Sequence, residues 1–381
     1  MRRIFSMAIL AASLVLASAP AGAFEGDLPE KGASVDGEVH EVAYHGDTLY
    51  AGGSFGAARD GDGTAHPRGN LAAVNAATGA LEDFAPDVDG TVYAVAVEGD
   101  WLYIGGAFRK VDGAYLPNLA RFDLATGQAD RSFSPRPSAT VYSLETHGET
   151  LYLGGHFASV GDFQQHGLAA VRTSDGTPVE EFAPRVGRGS VRDIEVANGR
   201  VYFAGGFLGV DGAESYAALA AVDPADGSLF MDFRAGMFVL IRQIAVDGDR
   251  VYGALDGRGG EVRAFDARTG STRWSVPVDG GVQAVTVYNG LVIGGGHFDR
   301  VCNSSQSGPN GECVDGVKER RGKLFAVDTD GRVLDWNPGA NTPIGVNTLR
   351  TQPDGASFAA GGTFTAFGGG RMEQQGIAVF R

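Results

Sequence analysis

Two stretches of the sequence concentrate the charged and imidazole side chains that could bind a ligand. The first, residues 56–69, reads GAARDGDGTAHPRG. Its candidate ligand-binding residues are Arg59, Asp60, Asp62, His66 and Arg68. The two aspartates could donate oxygens to Ca²⁺, but a calcium loop needs further oxygen ligands and a closing bidentate acid, and none follows. The sequence therefore favours a plain turn at this position.

The second stretch, residues 299–322, is the longest insertion of the chain. Its charged candidates are Asp299, Arg300, Lys318, Arg320 and Arg321. It also contains Cys302 and Cys313, which are the only cysteines. In a secreted chain such a pair is expected to form a disulfide, worth about 3 kcal/mol on the chain-entropy model. Metal binding or redox activity would need neighbouring histidines or a Cys-x-x-Cys spacing, which the sequence lacks.

Two histidines, His156 and His297, follow Gly-Gly pairs at equivalent places in the sequence. They could face each other across a central channel, but two histidines do not complete a metal site. We expect them to be hydrogen-bonded at strand ends. The sequence contains no nucleophile elbow, no paired histidines with an intervening glutamate and no phosphate-cradling glycine loop. It therefore predicts no catalytic residues, no metal site and no cofactor, with Ca²⁺ or a quinone as the open alternatives.

A repeated unit must position all these residues. In residues 91–139, two alternating apolar runs flank a Gly99-Asp100 turn, a third run follows at 119–123, and a fourth lies around Phe133. This is the pattern of a four-stranded antiparallel meander. The glycine of its first turn recurs seven times, at Gly46, Gly99, Gly148, Gly199, Gly248, Gly290 and Gly355. A fixed period of this length is typical of a β-propeller.

The last repeat ends after its third strand, at residues 377–381. Residues 24–37, FEGDLPEKGASVDG, parallel residues 81–90, LEDFAPDVDG, which include the fourth strand of the first repeat. We therefore predict an all-β, seven-bladed propeller of four-stranded antiparallel blades, closed by residues 24–30 as the outer strand of the last blade. Closure leaves few strand edges free. The prediction makes residues 24–381 one domain.

The repeat pattern V-x-A-V…G-x-x-L-Y-x-G-G-x-F…L-A-R-x-D-x-x-T-G…F-x-P resembles the delta-60 repeats of secreted bacterial β-propellers. This resemblance implies a propeller and little chemistry. A local stretch, residues 264–270 followed by Trp274, resembles the docking motif of quinoprotein propellers, whose blades repeat a tryptophan. Here phenylalanine takes that place in most repeats, at Phe84, Phe133, Phe182 and Phe233. We interpret the motif as packing between blades.

The first 23 residues have the layout of a secretory signal peptide: Arg2 and Arg3, an apolar run over residues 8–17, and a small-residue cleavage site over residues 21–23. The arginine pair also leaves twin-arginine export open. The formal net charge of −15 disfavours nucleic acid and anionic lipid as partners. No other run is apolar and long enough to predict membrane insertion.

Together these observations predict a secreted, monomeric, non-catalytic binding or scaffold propeller with an extracellular protein or glycan ligand. Both long stretches lie between second and third strands, so we expect them on one face, where they would share a ligand. His156 and His297 are added to these candidates. The alternative is an extracellular enzyme, either a quinoprotein-like oxidoreductase or a glycan-active hydrolase or lyase.

Overall fold

The computed structural model of this protein describes residues 24, 26–257, 259–303, 308, 312–314 and 316–381. The predicted signal peptide, residues 1–23, lies outside the described residues. Within those ranges the secondary structure is β apart from one 3-10 turn, Glu214–Tyr216, and there is no α-helix. No helix in the described part of the chain is long and apolar enough to span a membrane.

Seven antiparallel sheets, numbered 1 to 7 here, follow one another along the chain. Their first strands are Glu38–His45, Thr91–Glu98, Val141–His147, Val191–Ala197, Ile241–Asp247, Val282–Tyr288 and Val346–Thr351. Their second strands are Thr48–Ser54, Trp101–Ala107, Thr150–Gly155, Arg200–Gly205, Arg250–Leu255, Leu291–Gly296 and Phe358–Gly362. Their third strands are Leu71–Asn75, Leu119–Asp123, Leu168–Arg172, Leu219–Val222, Glu261–Asp266, Leu324–Val327 and Ile377–Phe380.

The first strands lie side by side around a common axis. Each contacts the first strand of the next sheet, and the first strand of sheet 7 contacts that of sheet 1. Neighbouring sheets approach closely because the second strands carry a very small residue at the point of contact, glycine in five sheets and alanine in sheets 4 and 5. A Cβ on Gly52 would lie 2.5 Å from a methyl of Val92 in sheet 2, and a Cβ on Gly361 would lie 2.6 Å from a methyl of Val39 in sheet 1. In those five sheets the glycine is therefore a packing requirement between sheets.

The prediction of four strands in every blade is wrong in detail. In the described residues only sheet 5 has a fourth strand, Thr272–Pro277. In other sheets the expected strand shrinks to a single bridge, such as Phe122 to Ala129 in sheet 2. Phe133, where that strand was expected, is buried but unpaired. A turn at Arg131 and Ser132, in which the Asp130 carboxylate accepts the Ser132 N–H at 2.8 Å, separates Phe133 from that bridge and ends the ladder.

The N-terminal segment lies against the last strand of sheet 7. The Glu30 N–H donates to the Val379 carbonyl at 2.7 Å, which repeats the hydrogen bond from Glu82 to Ala73 in sheet 1. The Glu30 carboxylate also pairs with Arg381 at 3.2 Å. The hydrogen bond between Glu30 and Val379 thus joins the N-terminal segment to sheet 7. In sheet 1 the same kind of bond joins the segment after the third strand to that strand.

Side chains of one sheet also hydrogen-bond to the turn of the next. The Trp274 indole N–H donates to the Thr329 carbonyl in sheet 6 at 2.8 Å. The Tyr202 hydroxyl donates to the Ala267 carbonyl in sheet 5 at 2.8 Å. The interpretation of the tryptophan motif as packing between sheets agrees with this geometry.

Short hairpins extend the connections between second and third strands. They pair Ala57–Arg59 with Ala65–Pro67, Lys110–Val111 with Ala114–Tyr115, Ser159–Val160 with Phe163–Gln164, Arg300–Cys302 with Lys318–Arg320, and Ala366–Phe367 with Met372–Glu373. Ser34–Val35 adds to the first of these. The disulfide predicted between Cys302 and Cys313 is present, with the two Cα atoms 5.4 Å apart.

The contact between the chain ends can be tested at one hydrogen bond. Replacing Glu30 with Pro removes its N–H, and we expect a loss of about 1–3 kcal/mol in unfolding free energy because the Val379 carbonyl loses its partner. Glu30→Ala is the matched control, since it removes only the exposed ion pair with Arg381 and should cost less than about 1 kcal/mol. Urea unfolding followed by tryptophan fluorescence measures both. Equal stabilities of the two variants would contradict a structural role for this bond.

Candidate functional site

Every first strand carries a β-bulge at the same place. The ladder shifts between Val39 and Glu41 in sheet 1, for example, and at the corresponding position in each other sheet. A bulge leaves one residue unpaired and re-aims its side chain. The seven bulged residues are His40, Tyr93, Tyr142, Arg192, Arg242, Gln283 and Asn347. All seven line one cavity of about 700 Å³, which we call the funnel.

The funnel opens on the face from which the long loops rise. Asp256 and His297, which also line it, come directly after the second strands of sheets 5 and 6. Both long loops leave the same ends of their sheets. The floor of the funnel consists of Glu41, Asp193 and Gln243, which point inward from the first strands.

One side of the funnel is aromatic. The rings of His40 and Tyr93 are 4.7 Å apart, and those of Tyr93 and Tyr142 are 5.3 Å apart in an edge-to-face arrangement. The guanidinium carbon of Arg192 lies 3.9 Å from the centre of the Tyr142 ring. Burial lowers the pKa of His40, against the field of Glu38 and with that of Arg242, so the imidazole is neutral at pH 7. This side of the funnel thus presents a row of three rings, followed by the guanidinium group of Arg192.

Arg192 differs from the other charged groups of the funnel because it has no carboxylate partner. Arg242 pairs with Asp256 at 2.7 Å, and Glu38 accepts a hydrogen bond from Asn347 at 2.9 Å. Among the described residues Arg192 forms no ion pair, and its buried Nε has no hydrogen-bond partner. Burial lowers the pKa of Arg192, and the neighbouring Arg242 adds to that effect. Among the described residues, only one of these two adjacent guanidinium groups, that of Arg242, pairs with a carboxylate, Asp256.

Beneath the floor, Arg350 of sheet 7 reaches across the axis. Its guanidinium contacts Glu195 at 2.8 Å, Glu41 at 3.4 Å and Asp193 at 3.8 Å, which belong to sheets 4, 1 and 4. Side chains from opposite sides of the ring therefore meet here.

Four carboxyl groups surround the single cation of Arg350, those of Glu41, Glu145, Asp193 and Glu195. Burial raises the pKa of Asp193 to about 8, with Arg350 opposing and Glu195 and Glu41 adding to the rise. Burial and Glu195 likewise raise the pKa of Glu145 well above its usual range. Since one cation faces four carboxyl groups, some of them hold a proton at neutral pH.

Hydrogen bonds at the floor tie neighbouring sheets together. The Gln243 side-chain oxygen accepts the Val285 N–H at 3.0 Å and the Leu349 N–H at 3.3 Å. The Thr348 hydroxyl donates to Glu41 at 2.6 Å. The Ile244 N–H donates to Asp193 at 2.8 Å. Because these bonds hold the first strands, they also fix the positions of the bulged side chains above them.

Two of the predicted site residues, Arg68 and Arg321, hold the main chain in place. Arg68 and Arg321 are buried and donate to main-chain carbonyls, Arg68 to Glu82 at 2.9 Å and Arg321 to Leu334 at 3.1 Å. They occupy equivalent places in sheets 1 and 6. Their guanidinium groups hold the loop against the following segment of the same sheet.

The remaining residues of the first long loop lie in a surface groove away from the funnel. Arg59, Asp60 and Asp62 line it together with Arg371 of the sheet 7 loop. The aspartates form the predicted turn: both accept the Thr64 N–H, and hydrogen bonds from Thr64 lower the pKa of Asp62 to about 2.

His66 lies on the same turn. Its Nε2 is 3.0 Å from an Asp60 carboxylate oxygen. In the described part of the chain, no group of three or more His, Cys, Asp or Glu side chains is arranged to hold a metal ion.

The second long loop is a separate hairpin. Arg300 is opposite Arg320, and Lys318 is opposite Cys302. The Asp299 carboxylate pairs with Lys323 at 2.9 Å. In the described part of the second loop, these side chains are not among those that line the funnel or the first loop's groove. The described charged residues of the two long loops thus do not meet in either of these two cavities.

The two equivalent histidines are also separated. His297 lines the funnel, where its Nε2 accepts the Gly281 N–H at 3.0 Å and its Nδ1 lies 3.9 Å from Asp256. His156 is exposed in a different cavity, beside His166. They do not face each other across the axis, although His297 has the hydrogen bond expected of it.

The sequence analysis missed all seven bulged residues and all of the floor, and His297 is the one predicted candidate that lines the funnel. A signal was present: the position after the first valine or isoleucine of each repeat holds His, Tyr, Tyr, Arg, Arg, Gln and Asn, all able to hydrogen-bond, within an otherwise apolar strand. Strict alternation assigned these side chains to one face of a regular strand. The bulge, which a period of two cannot show, redirects them.

Comparison with known proteins agrees with the architecture. A family model of PQQ-like repeats, described as outer membrane protein assembly factor BamB, matches residues 215–371. Over these residues the chain is similar to quinoprotein-like repeats, and its fold is that of a β-propeller. The WD40 β-propeller domain of Doa1 is similar over 93% of this chain and 96% of that chain, with 12% identity and a TM-score of 0.56.

The computationally designed protein Ika8 is similar over 92% of this chain and 99% of its own chain, with 12% identity and a TM-score of 0.55. At such identities these structures show the fold alone. No curated protein matches the sequence.

The role of Arg350 predicts a large stability effect. Replacing it with Met leaves the surrounding carboxyl groups without their cation, and we expect a loss of about 3–5 kcal/mol in unfolding free energy. Arg332→Met is the control, because Arg332 is exposed and lies 3.8 Å from Asp328, its partner. Thermal and urea unfolding measure both. A melting temperature unchanged by Arg350→Met would contradict the tie across the axis.

The raised pKa of Asp193 predicts a pH dependence. Its folded-state pKa of about 8 lies above the unfolded value of about 3.9, so the folded state holds the extra proton. This group therefore lowers stability progressively as pH rises from about 4 to about 8. Asp193→Asn removes the titration, so its unfolding free energy should fall less than that of the native protein between pH 5 and about pH 9. Parallel pH profiles would show that Asp193 does not titrate in this way.

Proposed function

We propose that this chain is a secreted, non-catalytic binding propeller whose ligand enters the funnel on the face that carries the long loops. The proposal includes seven blades of the delta-60 repeat type, with the N-terminal segment completing the last blade. The cyclic contacts of the seven first strands and the hydrogen bond from Glu30 to Val379 support that closure. The signal-like start of the sequence and the disulfide support secretion.

Arg192 is the observation that carries the binding function. A guanidinium held over Tyr142 at 3.9 Å, with no carboxylate partner, has lost hydration without gaining an ion pair inside the protein. A bound anion would supply the missing partner. The adjacent rings of Tyr93 and His40 offer apolar surface beside that charge. A concave site with aromatic walls and a few fixed polar groups is the usual form of a ligand site.

The funnel favours binding over catalysis because its strongest acids and bases are engaged. Asp256 is held by Arg242, Glu38 by Asn347, and the floor carboxyl groups by Arg350 and main-chain N–H groups. The alternative of an extracellular enzyme, quinoprotein-like or glycan-active, shares the same fold and repeat type. The two functions differ in what the purified protein carries and in whether it turns a substrate over.

The proposal is tested on protein purified from the medium of a secreting culture. Screening on glycan and peptide arrays should show binding that the Tyr93→Ala/Arg192→Gln double variant loses, because that variant removes both the aromatic surface and the free cation. Arg332→Gln, at an exposed arginine that does not line the funnel, is the control and should bind normally. Unfolding curves confirm that the double variant is folded.

Three results would oppose this function. A bound quinone chromophore in the absorbance spectrum, or turnover in a polysaccharide panel, would favour the enzyme. Binding that survives the double variant but is lost on replacing Lys318 and Arg320 with Gln would move the site to the second long loop, one of the two loops that the sequence predicts to share a ligand.

A further inference from the structure

We infer that the funnel recognises the end of a glycan chain that carries a single carboxylate, a terminal uronic acid residue. This inference rests on the proposed binding function and names its ligand class. It depends on four features of the funnel: the guanidinium pair, the aromatic wall, the closed floor and the charge of the whole protein.

The guanidinium pair suits one carboxylate. Arg192 and Arg242 occupy the same bulge position on neighbouring first strands, so both groups reach the mouth from one side. Arg242 uses its Nε for Asp256, and Arg192 has no acid partner among the described residues. Planar guanidinium groups bind carboxylates through two parallel N–H bonds. A ligand carboxylate would restore a balance of two cations and two anions at this point.

The aromatic wall beside the arginines suits a sugar ring. Arg192 covers one face of Tyr142, which leaves Tyr93, between His40 and Tyr142, as the aromatic surface of the wall. The C–H face of a pyranose packs on such a ring, while its hydroxyls need donors and acceptors. Gln283 and Asn347 line the same level of the funnel. The Asn347 side-chain N–H groups donate to Glu38 and to the Val39 carbonyl, so its side-chain oxygen is the group that can accept from a sugar hydroxyl.

The closed floor selects a chain end. Because Arg350 joins sheets 7, 1 and 4 beneath Glu41 and Asp193, a polymer cannot thread through the axis. A cavity of about 700 Å³ has room for one or two sugar residues of a chain that continues out of the mouth toward the loops.

The negative net charge of the protein favours a ligand with a single carboxylate over a polyanionic ligand. The protein has a formal net charge of −15, and acidic groups lie directly beneath the funnel. A polyuronate would gain one contact at the arginine pair and be repelled along the rest of its length. One carboxylate on an otherwise neutral chain gains the contact without that penalty.

A peptide with a free C-terminal carboxylate is the competing ligand. Sites for that group usually hold it with consecutive main-chain N–H groups. The funnel is instead lined by side chains of bulged residues, with amide, aromatic and guanidinium groups in one layer. This lining favours the glycan.

The test compares matched probes by isothermal titration calorimetry. They are a neutral glucose trisaccharide, the same trisaccharide with glucuronic acid at its non-reducing end, a hexameric polygalacturonate, and a tripeptide with a free or amidated C-terminus. We expect the glucuronyl trisaccharide to bind at least about tenfold more tightly than the neutral one, and more tightly than the hexamer. Arg192→Gln should bring the affinities of the two trisaccharides together. Arg332→Gln should preserve the difference.

The outcomes separate this inference from the proposed function. If both trisaccharides bind equally and Tyr93→Ala weakens both, the funnel binds glycans but the uronic acid inference is wrong. If the tripeptide binds more tightly than either sugar and amidation abolishes its binding, the ligand is a peptide end. If no probe binds, the inference is overturned, and the array experiment still decides whether the funnel is a binding site.

Discussion

The close contact between a glycine of one sheet and a valine of the next determines the geometry of this propeller. Where Gly52 meets Val92 and Gly361 meets Val39, a side chain as small as a methyl group would collide. The contact sets how near the first strands come to the axis. Because they come so near, side chains from opposite sheets touch, and Arg350 of sheet 7 can reach Glu195 of sheet 4.

That proximity explains both the stability of the centre and the character of the site above it. Crowded acidic side chains would repel one another, so the centre requires a cation and bound protons, which Arg350 and the raised pKa of Asp193 provide. The bulged residues directly precede these inward-pointing residues in the same first strands, which hold their side chains in fixed positions. The funnel is therefore a rigid site whose shape follows from sheet packing and whose chemistry follows from one variable position in each repeat.

Most of the architecture could be predicted from the sequence because it depends on local patterns. Turn glycines, alternating apolar strands and the Gly-Gly pair recur at a fixed period, and each reports on neighbouring residues only. The disulfide followed from there being only two cysteines. The fourth strands were overestimated because apolar alternation does not report the side-chain-stabilised turns that end a ladder, such as the one at Asp130 and Ser132.

The sequence by itself determined the repeat, the order of the strands and the kinds of side chain available. It suggested a site in the long loops, since those loops carry charge beyond what the repeat needs. Only the tertiary structure showed that Arg68 and Arg321 are buried and donate hydrogen bonds to main-chain carbonyls. It also showed that His156 and His297 line different cavities. It alone placed His40, Tyr93, Tyr142, Arg192 and Arg242 around one funnel, because these residues lie about fifty positions apart in the chain and meet only when the sheets pack around a common axis.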